Sequence, residues 1–397
     1  MTRDQRHRRS LLRTAFVVLV QCATALGSFS CNASPIAPDE TASERPTALA
    51  VISSLLRPNE SVRYLRVALS NASTLTSPRV IDVGGGAAGA LFDDGRLSCW
   101  GSNSNGETGV GFRSGIRPVG AAALVQPERR FSTISAGERH TCGVSLEGEV
   151  WCWGLNDQGQ VERPATTSVF TPKRINVEGV RFIGVSAGSA GTCALADAGF
   201  VWCWGQLGTT TISAPRLVAL PLAASGVGSG AVHACAVLVG GSVRCWGLNT
   251  DGQLGAGGGF RSIGDPVEVT GLPEPAVSVS AGSVHTCAVL QSGAVRCWGQ
   301  NLSGQLGTGD FASTPEARPL ALAGVAFSQV AAGSQHTCGL AADGRAFCWG
   351  NNFQGQLGNG QDLRAPNLTA RDLTFSVPVE VAGGHRFTSL SAGFVEL

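Results

Sequence analysis

The sequence predicts an all-β propeller built from four-stranded blades, and three observations carry that prediction. One phrase recurs along most of the 397-residue chain, with copies at Gly137, Gly188, Gly230, Gly282 and Gly333, a degenerate copy at Gly84 and a partial one at Gly393. Within each full copy, two short runs rich in β-branched, aromatic and Cys residues flank a tight turn holding a glycine, which reads as a β-hairpin. No segment sustains a 3.6-residue apolar period, so helices should be few. The copies lie mostly 51 to 53 residues apart, with one interval of 42 and a last one of 60. A fixed period of that size marks a propeller, a solenoid or an array. Four strands per repeat of about 51 residues fit a propeller blade. Six repeats and a partial seventh favour seven blades; a six-bladed or incomplete ring is the alternative.

Residues 1–31 read as an export signal outside the fold. Arg3, Arg6, Arg8, Arg9 and Arg13 precede a mostly apolar run, 14–27, that ends in small residues. That is the layout of a secretory signal peptide, and it is too short for a spanning helix. Two readings of Cys31 stay open: lipid attachment at this residue, or plain cleavage between about 25 and 31. Residues 32–47 are small, polar and Pro-containing, as in a flexible linker. Runs 48–56 and 61–68 look like strands outside the repeat, so the segment 48–78 is assigned to closing the ring with the C-terminal strand. The repeat propeller takes 79–397.

The copy from Ser135 shows what each repeat contains. Ser135-Ala136-Gly137 leads into His140-Thr141-Cys142, then Leu146-Glu147-Gly148, then Trp151-Cys152-Trp153-Gly154. The turn glycine recurs as Gly95, Gly199, Gly241, Gly293 and Gly344, as a residue with positive φ requires. After Trp-Gly comes Asn-x-x-Gly-Gln-Leu-Gly, seen at 249–255, 301–307 and 352–358. The third repeat lacks it, running Gln206-Leu207-Gly208-Thr209, so one blade should have a shortened loop and outer strand.

Cysteines recur ten residues apart, as Cys142/Cys152, Cys193/Cys203, Cys235/Cys245, Cys287/Cys297 and Cys338/Cys348. Symmetric placement about the turn sets each pair face to face across neighbouring strands, within disulfide reach. Export to an oxidising compartment would join them. Gly89 breaks the pattern in the first repeat and leaves Cys99 alone. A metal reading competes, because His140, His233, His285 and His336 recur beside the cysteines, but the position is taken by Ala87 and Ala190 in two repeats. Zinc needs four convergent ligands and each hairpin offers three at most, so the histidines are assigned to blade packing and no metal or cofactor is expected.

Hydrophobic residues make up 43% and charged residues 14% of the chain, which suits one large β domain with much buried surface. A formal net charge of +1 supplies no long-range field for nucleic acid or an anionic membrane. Catalysis needs a nucleophile, base or metal constellation, and the sequence offers none. Asp93-Asp94 beside a turn glycine are read as turn-capping residues. All eight tryptophans lie in or next to the Cys-Trp-Gly phrase, which leaves no Trp platform on loops for a sugar.

The phrase Ser-Ala-Gly-x-x-His-Thr-Cys, continued by Cys-Trp-Gly-x-Asn-x-x-Gly-Gln-Leu-Gly, resembles the regulator of chromosome condensation repeat over about three-quarters of the chain. The resemblance implies a seven-bladed propeller of four-stranded blades. Its nuclear member exchanges nucleotide on a small GTPase and binds nucleosomes, and exported bacterial members include an inhibitor of β-lactamases. Cysteines paired within hairpins look like the exported versions. The resemblance transfers a fold rather than an activity, since no exchange-factor residue maps onto this chain.

The segments joining repeats carry Phe112-Arg113, Phe260-Arg261, Asp310-Phe311 and Leu363-Arg364, an apolar residue beside a charged one each time. Such pairs around a ring would present anchors to a protein; the plainer reading is that they cover the turns below. The expectation is therefore an exported, monomeric, non-catalytic propeller that binds a protein partner through these loops and meets a membrane only through a lipid on Cys31. An envelope enzyme or glycan binder with a site at the central channel is the alternative, and an exchange-factor-like regulator a weaker one.

Overall fold

A computed structural model describes residues 20–25, 28–33, 50–53, 78–112, 118–161, 166–258, 263–365 and 367–393. It divides into a small unit, Met1–Thr47, and a large one, Ala48–Leu397. In the small unit Val20–Ala25 pairs antiparallel with Ser28–Ala33. The rest of the signal and linker expectations, and the run 61–68, lie outside the described residues.

The large unit holds six four-stranded antiparallel sheets, each a simple meander: a six-bladed β-propeller. Blade 1 comprises Pro78–Val83, Ala87–Phe92, Leu97–Gly101 and Val119–Leu124. The later blades begin at Phe131–Ala136, Phe182–Ala187, Ala224–Ser229, Ala276–Ala281 and Phe327–Ala332. First strands of successive blades pack on one another and form the inner wall. Every second strand is buried along its whole length, as in His285–Leu290, because both of its faces lie against neighbouring blades. The core therefore sits between blades: Cys235, Val237, Val243 and Cys245 of blade 4 pack on Ala276, Ala288, Leu290 and Trp298 of blade 5.

The structure has six four-stranded blades, the alternative to the seven that the sequence favours. After the sixth blade the described residues add one further inner strand, Ser389–Ala392, which pairs in parallel with Ala50–Ser53 as a two-stranded sheet. The single strand nonetheless packs on the inner strands of blades 6 and 1 and bridges the gap between them.

The inner wall explains the Ser-Ala-Gly phrase. A Cβ on Gly137 would lie 2.2 Å from the Gly188 carbonyl oxygen, one on Gly188 2.1 Å from that of Gly230, and one on Gly333 2.8 Å from that of Gly393. Only glycine permits this approach. In blades 2, 3 and 5 the serine two residues before that glycine accepts a backbone N–H of the next blade, Ser135 from Ala187 at 3.0 Å, Ser186 from Ser229 at 2.8 Å and Ser280 from Ala332 at 3.0 Å.

Blade 3 corrects a second expectation. Its loop is cut to a tight reversal in which Leu207 faces Thr210, but its outer strand, Thr210–Leu217, keeps 8 residues. The loss falls on the loop alone.

Candidate functional site

Antiparallel meanders sort the connections onto two faces. Turns between second and third strands and the connections between blades share one face; loops between third and fourth strands share the other. Of the candidate segments named from the sequence, Phe112, Asp310-Phe311 and Leu363-Arg364 lie in the latter loops. They join strands within a blade, not blade to blade as their position between sequence repeats suggested.

In blades 4, 5 and 6 this loop is built on the Asn-x-x-Gly-Gln-Leu-Gly phrase. The Asn301 carboxamide oxygen accepts the Leu306 N–H at 2.9 Å, while its amide donates to the Asp310 carbonyl at 2.9 Å. Asn249 and Asn352 hold Leu254 and Leu357 the same way, at 2.9 and 3.0 Å. The carbonyl of the following Gln then serves the next blade. Trp298 Nε1 and Thr286 Oγ1 both donate to Gln253 O, each at 2.9 Å; Trp349 and Thr337 donate to Gln305 O at 2.9 and 2.8 Å.

Because the threonine hydroxyl donates to that carbonyl, it must accept from the histidine beside it. His140 Nε2 lies 2.8 Å from Thr192 Oγ1, His233 Nε2 2.7 Å from Thr286 Oγ1 and His285 Nε2 2.8 Å from Thr337 Oγ1. These histidines are neutral with the proton on Nε2, and their buried Nδ1 atoms have no partner. Burial holds the His140 pKa down to about 4 and those of His233 and His285 to about 3. The register also corrects the sequence alignment. Gly191 faces Gly205 as His140 faces Gly154, so the histidine's place in blade 3 belongs to Gly191, not Ala190.

The ten repeat cysteines stand as five cross-strand pairs at disulfide distance: Cys142 with Cys152, Cys193 with Cys203, Cys235 with Cys245, Cys287 with Cys297 and Cys338 with Cys348. Their Cα atoms are 4.0–4.1 Å apart. All ten are at 0% exposure, so these residues belong to the blade cores and contribute nothing to a surface site. The hairpin pattern also missed an irregularity beside them. Pairing with the fourth strand shifts register just after Cys152, Cys203, Cys245, Cys297 and Cys348: the step from Cys152 to Gly154 is matched by the longer step from Lys173 to Val169, and likewise in the other four, so the fourth strand of each of these blades bulges opposite that glycine. Cys99 is free and buried opposite Gly89, and burial pushes its thiol pKa up. At the ring closure Asp82 accepts the Ala136 N–H at 2.7 Å and the Ser391 hydroxyl, while Ser391 Oγ accepts the Val83 N–H at 3.2 Å. Burial raises the Asp82 pKa in spite of these bonds.

Of the candidate binding residues, Phe112 is open to solvent at 56% exposure. Asp310 is engaged within its own loop, by the Thr308 hydroxyl at 2.9 Å and the Ala312 N–H at 3.1 Å, and pairs with Arg318 at 3.3 Å. Phe311 is half-buried under the Arg371 guanidinium, 3.6 Å from its ring centroid. Leu363 is half-buried and Arg364 exposed. Arg113, Phe260 and Arg261 lie outside the described residues, as does the side chain of Cys31. The loops place Phe112, Asp310, Phe311, Leu363 and Arg364 on one face, in blades 1, 5 and 6.

A family model described as RCC1-like domain matches residues 49–390. The chain belongs to the RCC1-like domain family. It is 29% identical over 278 residues to the mitochondrial RCC1 domain-containing protein RUG3 of Arabidopsis thaliana, covering 68% of this chain and 53% of that one. It is 30% identical over 269 residues to the ultraviolet-B receptor UVR8 of the same plant, covering 66% and 51%. The chain thus spans about half the length of these relatives. Among solved structures, human WBSCR16 superposes with a TM-score of 0.69 at 18% identity, over 80% of this chain and 85% of that one. Prp20p of Saccharomyces cerevisiae gives 0.67 at 21%, over 79% and 80%. Those two likenesses show the fold.

This RCC1-like propeller also carries features that sequence reading passed over. On the turn face Leu146, Phe200, Leu222 and Val239 are each more than half exposed. Val239 stands where Asp93 stands in blade 1, so a position-by-position comparison of the repeats could have found it. On the same face a hollow of about 370 Å³ lies among Glu147, Glu149, Arg174, Glu178 and Arg181.

Proposed function

We propose that this protein is an exported, non-catalytic propeller that binds a protein partner through its third-to-fourth-strand loops. The observation that carries the reading is a division of labour among residues. Ser135, His233, Thr286, Trp298 and Asn301, like their counterparts in other repeats, are engaged between blades or within loops, which leaves Phe112 and Arg364 of the candidate loop residues turned to solvent. A rigid ring offers such loops without ordering them on binding, which lowers the entropic cost of association. An interface of about 800 Å² per partner needs only a few adjacent blades. Family membership supports the same reading: the yeast structures of this fold are described as Kap60 bound to RCC1 (Prp20) and by Prp20p binding to Gsp1p and histones. Five cysteine pairs at bonding distance favour an oxidising compartment.

The test is affinity capture by the mature protein from envelope or culture-supernatant proteins, followed by Phe112→Ala, Phe260→Ala and Phe311→Ala, singly and together. We expect the triple variant to keep its fold and weaken capture at least tenfold. Full binding by that variant places the contact elsewhere, and turnover of glycan, peptide or β-lactam substrates by the purified protein overturns the non-catalytic reading.

A further inference from the structure

Four blade seams are closed by one device. The indole N–H groups of Trp153, Trp204, Trp298 and Trp349 donate to the carbonyls of Glu107, Gln160, Gln253 and Gln305 in the preceding blade, at 2.8, 2.8, 2.9 and 2.9 Å. A second-strand threonine adds a donor to the same oxygen each time, at 2.8–3.2 Å. The residue after the acceptor, Thr108, Val161, Leu254 or Leu306, is fully buried at 0% exposure, and the four indoles are 0–1% exposed.

The seam between blades 3 and 4 lacks this device although all its strands are described. Blade 3 turns back directly after Leu207, so no loop reaches over Trp246. Ala234 stands where the threonine would. The Gln206 carbonyl is directed into its own blade, 2.6 Å from where a Cβ on Gly191 would sit. The Trp246 side chain is 5% exposed and its indole N–H has no acceptor among the described residues. Leu207 and the half-buried Ile212 pack with it in one apolar cluster. Trp100, whose preceding inner strand also comes without a loop, is the other Cys-Trp-Gly indole with residual exposure, at 8%. Solvent still reaches this donor, which no protein group among the described residues pairs, so over its apolar floor it is open to a carbonyl from outside the chain.

We propose that the seam between blades 3 and 4 is a peptide slot. An extended segment of a protein partner presents a main-chain carbonyl to Trp246 Nε1 and lays a leucine-sized side chain beside the indole. It takes the place that the chain's own Gln-Leu step takes at the seam between blades 4 and 5 and again between 5 and 6. The carbonyl supplies geometry that any peptide carries, and the apolar neighbour supplies the selectivity. The slot lies on the loop-bearing face but stands independently of Phe112 and Phe311.

The probe is a synthetic peptide copying residues 301–309, titrated into the full chain labelled with ¹⁵N. Eight indole N–H signals are available, and Trp246→Phe assigns the one that matters. We expect that signal alone to shift saturably and to exchange more slowly with water. A peptide with Asp at the Leu306 position should bind at least tenfold more weakly. A chain with residues 300–304 copied in after Gly205 should show the bound signal position without peptide. No shift at millimolar peptide, or equal binding of the Asp peptide, overturns the slot. Loss of binding in the Phe112 and Phe311 variants with the Trp246 shift retained would separate this site from the loop contact.

Discussion

His140, His233 and His285 each give one proton to a threonine of the next blade and keep Nδ1 dry. Their folded pKa values, about 4, 3 and 3, lie below the ordinary histidine value of about 6.5. The unfolded chain therefore takes up protons first as pH falls. Stability is fully present above pH 6.5 or so and is lost as pH falls towards the folded values, at about 1.4 kcal/mol per pH unit for each histidine. Urea midpoints measured from pH 8 to pH 4 should show this decline. His233→Gln keeps an N–H donor for Thr286 without a titrating ring, so it should flatten the decline by one histidine's share; an unchanged slope would refute the assignment. Asp82 works in the opposite sense: its raised pKa makes its contribution present at low pH and lost as pH rises. The threonine partners were not legible in the sequence, because each lies about 52 residues from its histidine and only folding brings the two together.

At the scale of the element, the hairpins were the most legible part of the chain. Ten-residue spacing about a turn glycine fixes register, and all five cysteine pairs face one another. Gly89 faces Cys99 in that same register. A Cβ on Gly89 would lie 3.4 Å from Cys99 Sγ but 2.5 Å from the tip of Ile134. Gly89→Cys with Ile134→Val should therefore form a sixth bridge, seen as the loss of one free thiol, and add less than about 3 kcal/mol given its short loop. A thiol that stays free would count against the register. The fourth-strand bulges opposite Gly205, Gly299 and Gly350 were not legible, because they arise from the pairing of third with fourth strands and the loops between those strands vary in length. The loops themselves were less legible still. Composition marks Asp310-Phe311 as an apolar residue beside a charged one, but not that Asp310 fastens its own loop or that Phe311 stacks under Arg371. Asn301 is the residue that holds that loop, and Asn301→Ala leaves the buried Leu306 N–H without an acceptor. The expected loss is about 1–3 kcal/mol in chemical denaturation.

At the scale of the molecule, strand count per repeat was readable but ring closure was not, since closure depends on how much chain follows the last full repeat. Six sheets meet a lone inner strand, and the inner wall keeps its glycine contacts through Gly333 and Gly393. A closed ring has no free edge along which to relax, so a clash at one inner contact must widen the whole wall or break it. Gly188 tests this directly. Its missing Cβ would stand 2.1 Å from the Gly230 carbonyl oxygen, and that neighbour is backbone with no rotamer to change. Gly226, in the inner strand of the next blade, has open space where its Cβ would be. Both residues become alanine at the same chemical cost, so their difference isolates the packing of the wall. Gly226→Ala should leave the melting temperature within a few degrees of the parent. Gly188→Ala should lose more than about 4 kcal/mol or fail to give soluble protein. Equal melting temperatures for the two variants would mean that the inner wall yields freely and that the Ser-Ala-Gly phrase is not what holds the ring together.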